Sequence, residues 1–383
     1  MDQLDIENSI VLLGAGASRP ACVPTALEMT DRMLAMFEDD PLQRHYLGAT
    51  RMIIGALQMA SGVRSEGPNS TIDIEQVLSA AQLLSTRFCT ELSPFVGAWH
   101  PLLEELERAY LAILIENSGA NANAEIARLL SRRHDGRWFQ TLVTVLTAKL
   151  MHLTWLTDPT RSKYFHPLLT TARTRRLIIA TLNYDNTVES AAATLNLPCH
   201  TLGDWQATAT LPEPSNGIDL LKLHGSTNWK WSIRPRVSAG CITPTRTICE
   251  VESGDMPKRL DRAKWYPNRD YVGDSLGVIF GGGNKLTAEG PFMDLFHKFK
   301  RLLWEKQHLL VIGYSFRDVH INHLIEHWFT TRPATTLIIV DAPTAEKNMN
   351  RFYRAHKDEI DKRLFYDGSG IKRALLKYFP KQK

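Results

Sequence analysis

Five short runs along the chain are apolar at nearly every position and stop at turn-forming residues: Ser9 to Leu13, Leu177 to Thr181, Leu220 to Leu223, His308 to Ile312 and Thr336 to Val340. They lack the alternation of a half-exposed strand, so each is expected to be a strand buried on both faces. Strands of that kind belong to a parallel sheet with helices on both sides. The predicted fold class is therefore α/β, a Rossmann-like doubly wound parallel sheet. From Pro24 to Arg173 the strand pattern disappears and apolar residues recur three and four apart, over Ile72 to Cys89, His100 to Glu116, Ala124 to Arg132 and Trp138 to Trp155. Breaks at Gly67-Pro68 and Asn117 to Gly119 separate these helical segments, which predicts a large helical insertion after the first strand.

The expected division is a Rossmann-like domain over 1–40 with 170–345, a helical insertion over 41–169, and a helical C-terminal tail over 346–383. The tail closes in a basic amphipathic helix from Lys372 to Lys383. Arg234 to Asp274, interrupted by Pro235, Pro244, Gly254, Pro257 and Pro267, is expected to be mostly loop, placed to cover the ligand crevice.

Composition narrows the function classes. With 383 residues and 44% hydrophobic content the chain can bury a sizeable core. Its 45 basic and 41 acidic residues are interspersed, and a net charge of +4 implies no nucleic-acid partner directly. Five cysteines without a Cys-x-x-Cys pair argue against a zinc ribbon or a disulfide framework. The acidic first residues and the lack of an apolar run of membrane-spanning length lead us to expect a cytoplasmic protein with no membrane partner.

The chemistry sits where the strands end. In a parallel sheet the crevice at the strand carboxyl ends is the ligand site, and Gly14, Asn183, His224 and Gly313 all fall just after strands. The segment Gly14, Ala15, Gly16, Ala17 and Ser18 joins a strand to a helix expected near Pro24, a geometry suited to a phosphate, or simply to a tight turn. In Thr181 to Asp185, Asn183 and Asp185 would point to one side of an extended chain; Asp185 either faces the ligand or caps the helix near Thr187. His224, between Leu223 and Gly225, is either a general base or a structural histidine. Gly313 and Ser315 lie in the strand-to-helix joint Gly313 to Asp318, with Ser315 in reach of a ribose or phosphate. Asp341 ends the last strand, to accept ribose hydroxyls or to cap a helix. His320, His323, Glu326 and His327 imitate metal-ligand spacing without the His-Glu-x-x-His order, and Gly281 to Gly283 imitate a phosphate loop with a misplaced lysine. Neither a metal nor intrinsic ATPase activity is expected.

The order Gly-Ala-Gly, Thr181-Leu-Asn-Tyr-Asp185, Leu223-His-Gly225 and Gly313-Tyr-Ser-Phe-Arg-Asp318 resembles the sirtuin-like family. That resemblance implies an NAD site, with Asn183 and His224 flanking the nicotinamide ribose as catalytic residues. Gly14, Ala15, Gly16, Ala17, Ser18, Thr181, Asp185, Gly313, Ser315 and Asp341 would bind the dinucleotide. The four-cysteine zinc module of the deacylases is missing, and the stretch from Gly313 to Asn322 is closer to bacterial antiphage members that resemble NAD hydrolases. The activity so implied is an NAD glycohydrolase that depletes host NAD in abortive infection, with NAD as substrate and no metal. Further implications are a homo-oligomer and a HerA-type hexameric ATPase partner. An NAD- or ADP-ribose-binding sensor without turnover, and a deacylase or ADP-ribosyl transferase, are the alternatives.

Overall fold

The computed structural model describes residues 4–40, 43–64, 71–87, 103, 105, 106, 108, 109, 112, 137–238, 241–265, 276–279, 290–342, 351–360 and 362–380. Its strands are β1 (Ser9–Leu13), β2 (Arg176–Thr181), β3 (Cys199–His200), β4 (Gly217–Lys222), β5 (Gly225–Ser238), β6 (Cys241–Glu250), β7 (Leu276–Val278), β8 (His308–Ile312), β9 (Thr336–Val340) and β10 (Leu364–Asp367). Seven of them form one sheet in the order β10-β9-β8-β1-β2-β4-β3, and every pairing in it is parallel. The fold is a doubly wound α/β sheet. Strand order reverses at β1, whose next strand β2 lies on one side and β8 on the other, so the switch point falls between β1 and β8.

Why these strands are apolar throughout is visible in the two layers that cover them. Ile10, Leu12, Ile178, Ala180, Leu309, Val311, Leu337 and Ile339 pack on one face with Phe299, Leu302 and Trp328 from the helices Phe292–Glu305 and Val319–Thr331. Their neighbours Val11, Leu13, Leu177, Ile179, Leu310, Ile312, Ile338 and Val340 pack on the other face with Leu168, Ala191 and Leu375. Successive side chains point to opposite faces, and both faces are dry.

Between β1 and β2 the described residues contain helices and no strand, including Ala26–Glu38, His45–Val63, Ile74–Ser85 and Arg137–Thr154. The third of these starts at a capping box: Asp73 accepts from Gln76 N at 2.9 Å and the Gln76 side chain accepts from Asp73 N at 3.0 Å. Most of the expected helices over His100 to Glu116 and Ala124 to Arg132, and the Gly281 to Gly283 run, lie outside the described residues. Two compact units are found, one of Met1–Thr25, Met151–Arg259 and Val272–Lys383, the other of Ala26–Leu150 and Leu260–Tyr271.

Three segments differ from expectation. Arg234 to Asp274 is not mostly loop: β5 and β6 form a long antiparallel ribbon, and a helix follows over Met256–Trp265. Its prolines are tolerated because Pro235 pairs with Pro244 beyond the reach of β7, where each strand has an edge that needs no donor. Residues 346–383 are not only helical, since β10 extends the sheet beside β9 and the helix Ile371–Tyr378 buries Leu375 in the core. Phe165, Leu168 and Leu169, which fall within the expected insertion, pack beneath the sheet because the turns Pro159–Phe165 and Thr170–Arg173 lead directly into β2.

Candidate active site

At the switch point the turns after β1 and β8 interlock. Gly16 N donates to Gly313 O at 2.9 Å, and Gly14 N donates to Ile312 O at 2.9 Å. No side chain fits between them: a Cβ on Gly14 would lie 2.5 Å from Tyr314 Cα, and one on Gly313 would lie 2.4 Å from Ala17 N. Gly313 also holds φ at +62°, which glycine adopts without strain. From the sequence, a helix beginning near Pro24 is expected to lend this turn free amides. The α-helix does start at Ala26, close to that position, but two 3₁₀ turns, Ala15–Ala17 and Arg19–Ala21, come before it. The tight turns consume the amides, with Ala17 N on Gly14 O at 2.9 Å and Ser18 N on Ala15 O at 3.2 Å. Within Gly14 to Ser18, the Ala15 N–H makes no backbone hydrogen bond among the described residues.

Asn183 ties the end of β2 to that turn. Its Nδ2 donates to Gly14 O at 2.9 Å and to Ser18 Oγ at 3.1 Å, and its backbone N–H donates to Thr181 Oγ1 at 3.1 Å. A carbonyl can only accept, so the contact to Gly14 fixes which way the amide faces. Asn183 is buried and keeps Oδ1 clear of the bonds its Nδ2 makes. Asp185 makes a different set of bonds. Its Oδ1 accepts from Thr187 N at 2.9 Å, the local turn that was its alternative reading, and its backbone carbonyl accepts from Lys222 Nζ. Lys222 also donates to Glu189 at 2.6 Å, and burial raises the Glu189 carboxyl against the pull of that ammonium. Tyr164, from beneath the sheet, donates to Ala17 O at 2.7 Å, and its hydroxyl is pushed far above its ordinary range by burial and by the charge of Asp185.

His224 follows β4 at the same sheet edge and is buried, with 5% exposed. Its Nε2 lies 2.9 Å from Asp318 Oδ2, while Nδ1 is buried with no hydrogen-bond partner among the described residues. The backbone around it is clamped, since Ile279 N donates to His224 O at 3.0 Å and Tyr184 Oη donates to Ile279 O at 3.0 Å. Gly225 permits this approach, because a Cβ there would lie 2.0 Å from Gly277 O.

Asp318, which closes the Gly313 to Asp318 motif and had no role from the sequence alone, is the residue that pairs with His224. It caps the helix Val319–Thr331 through Oδ1, which accepts from His320 N at 3.0 Å and Ile321 N at 3.1 Å. The Tyr314 hydroxyl accepts from Asp318 N at 3.1 Å and lies 2.8 Å from Asn322 Oδ1, and Asn322 Nδ2 donates to Phe316 O at 2.7 Å. These bonds hold Phe316 at φ +53°, where its ring stacks on Phe352 with centroids 5.1 Å apart. An aspartate directly before a helical pattern is the signal that could have been read.

Ser315 is exposed in this loop and makes no hydrogen bond among the described residues. Asp341, at the end of β9, accepts from Ala342 N at 2.8 Å, and burial raises its carboxyl above the ordinary value. Gly14 to Ser18, Thr181, Asn183 and Gly313 are thus in one bonded cluster, His224 joins Asp318, and the Asp185 and Asp341 carboxylates accept from backbone N–H groups in their own turns. Among the described residues no cluster of three or more histidines, cysteines or acids could hold a metal ion; Glu326 instead lies 3.5 Å from His356, and His327 packs on Trp304 with ring centroids 5.6 Å apart. Among those residues, too, no helix is long and apolar enough to cross a membrane.

Residues 177–360, just under half of the chain, match the SIR2-like domain family. That match supports membership of the sirtuin-like superfamily. The region takes in Asn183, His224 and Asp318 and leaves out the glycine turn after β1. No curated protein matches the chain. Among solved structures, Sir2Tm bound to a propionylated peptide is similar at 12% identity over 96% of this chain and 90% of that one, with a TM-score of 0.37. A Sir2 complex with a p53 peptide and NAD⁺ is similar at 13% identity over 96% and 90%, also with a TM-score of 0.37. Overlap that loose leaves the family match and the site itself to carry the functional reading.

Proposed function

We propose that the chain is an NAD glycohydrolase, releasing nicotinamide and ADP-ribose with water as acceptor. The observation that carries this reading is a buried histidine, fixed on one side by a carboxylate and open on the other, at the strand edge where Asn183 is bonded to the glycine turn. The SIR2-like match over 177–360 supports the choice of NAD.

Few groups are needed. The bond from ribose C1′ to the nicotinamide nitrogen breaks with its electron pair moving to the nitrogen, which discharges the pyridinium. An oxocarbenium-like ribose is left, water adds at C1′, and its proton passes to His224, directly or through a ribose hydroxyl. Asn183, locked by Gly14 and Ser18, orients the ribose or the water through Oδ1. The interlocked turns after β1 and β8 let a diphosphate approach the backbone closely, with Ala15 N as the donor the turn has left. Asp341 and Ser315 are placed at neighbouring strand ends for the adenosine half. A positioned proton acceptor contributes roughly 10²- to 10⁴-fold.

The resemblance of the Gly313 to Asn322 stretch extends the proposal to antiphage defence by NAD depletion, a homo-oligomer and a HerA-type ATPase partner. The competing reading is an NAD- or ADP-ribose-binding module without turnover, favoured by the two Asn183 amide protons being spent on the scaffold. Chromatography of NAD incubated with the protein separates these: free ADP-ribose means hydrolysis, acetyl-ADP-ribose or a modified protein means transfer, and intact NAD with measurable binding means a sensor.

A further inference from the structure

The geometry assigns Asp318 as a positioning residue that holds neutral His224 in the Nε2–H tautomer, so that Nδ1 is the atom that takes the proton. This rests on the glycohydrolase reading for the reaction it serves, and on the structure alone for the tautomer. Two observations meet here. Asp318 Oδ1 is occupied by the N–H groups of His320 and Ile321, and Oδ2 lies 2.9 Å from His224 Nε2. A carboxylate only accepts, so the hydrogen between them belongs to the imidazole. Neutral imidazole carries one N–H, and with it on Nε2 the lone pair is on Nδ1. That nitrogen is the one left without a partner among the described residues, in a side chain that is 5% exposed. A buried acceptor left bare is costly unless something fills it, and a substrate hydroxyl or a water does so here.

The carboxylate itself is anchored. The Asp318 N–H bonds to the Tyr314 hydroxyl at 3.1 Å, Tyr314 lies 2.8 Å from Asn322 Oδ1, and Asn322 closes the loop on Phe316 O at 2.7 Å. One aspartate therefore starts the helix Val319–Thr331 and orients the imidazole, which couples the end of β4 to the loop after β8.

Asp318→Asn tests this. The amide oxygen retains the two helix N–H bonds, and the amide nitrogen then faces Nε2 as a donor, which forces the imidazole proton to Nδ1. The chain is labelled with ¹⁵N-histidine, and a His224→Gln sample identifies the His224 signals. The expected spectrum of the unaltered protein shows Nε2 protonated and Nδ1 bare, and Asp318→Asn reverses them. NAD turnover by Asp318→Asn falls roughly 10²- to 10⁴-fold with NAD affinity unchanged. A protonated Nδ1 in the unaltered protein overturns the assignment and needs no variant to be seen. Unchanged turnover in a folded Asp318→Asn with the reversed tautomer overturns it as well. Should Asp318→Asn fail to fold, Asp318→Ser preserves a helix cap while removing the imidazole's partner, and full turnover there counts against the assignment. Absence of NAD cleavage by the unaltered protein, with the Nε2–H tautomer present, contradicts the glycohydrolase reading and leaves the Asp318–His224 pairing standing.

Discussion

The two ends of β4 carry buried polar groups with opposite accounts. Near its start, Asp219 is fully buried, and both carboxylate oxygens are taken: Oδ1 by Lys298 Nζ at 2.9 Å, Oδ2 by Arg176. Just past its end, His224 is also buried, yet one of its two ring nitrogens has no partner among the described residues. Burial alone does not separate structure from function in this strand. What differs is saturation: the Asp219 network satisfies both carboxylate oxygens, while the open ring nitrogen of His224 lies at the strand edge where the proposed site is.

Breaking the saturated end should have the largest effect on stability. Asp219→Ala leaves Lys298 charged and uncompensated in the interior, and is expected to cost about 3–5 kcal/mol in urea unfolding, with turnover per native molecule unchanged. A variant as stable as the parent would show the network to be ornamental. Breaking the open end gives the reverse pattern: His224→Ala should lose roughly 10²- to 10⁴-fold in kcat for NAD cleavage with little shift in Tm. A second carboxylate, Asp367, sharpens the comparison, since it lies at a strand's carboxyl end and is nonetheless saturated. Burial pushes Asp367 up, but bonds from Ser369, Lys377 and Tyr378 outweigh it and hold the carboxyl at about 2.

The folded-state value of Asp367 is depressed, so its stabilisation is complete above the ordinary carboxylate range and is lost as pH falls through about 4 towards about 2. It should amount to about 2 kcal/mol at neutral pH. Asp367→Asn should flatten that acid limb in denaturation curves while NAD turnover is retained; an unchanged limb would remove Asp367 from the saturated class. The smallest effect belongs to Cys22, an exposed residue at φ +67°. Cys22→Gly should gain about 0.5 kcal/mol in Tm measurements by relieving a left-handed backbone, with no change in turnover.

The sheet was legible because its strands are apolar on both faces: β1, β8 and β9 begin and end where their hydrophobic runs do. The two-residue β3 is too short to leave a pattern, and β10 is only four residues long, with Leu364 and Asp367 buried and the two between them half-buried, so it shows neither a continuous apolar run nor an alternation. The ribbon of β5 and β6 was hidden by prolines, which usually mark loops and here fall on unpaired strand edges. At the site, the glycines, Asn183 and His224 stood out because each follows a strand. What one chain segment cannot show is which partner each would find. The tie from Asn183 to Gly14 spans 169 positions and that from His224 to Asp318 spans 94, and neither leaves a local trace. Asp185 was ambiguous for the opposite reason, since a turn two residues long satisfies it without any distant partner.

The most direct test of the account is to incubate the purified protein with NAD, alone and with a HerA-type ATPase, and to separate the products by chromatography. The expected products are nicotinamide and ADP-ribose in equal amounts, their formation falling at least about 10²-fold in Asn183→Ala and His224→Ala variants that remain folded. Intact NAD under both conditions, or cleavage that survives both substitutions, would contradict the account.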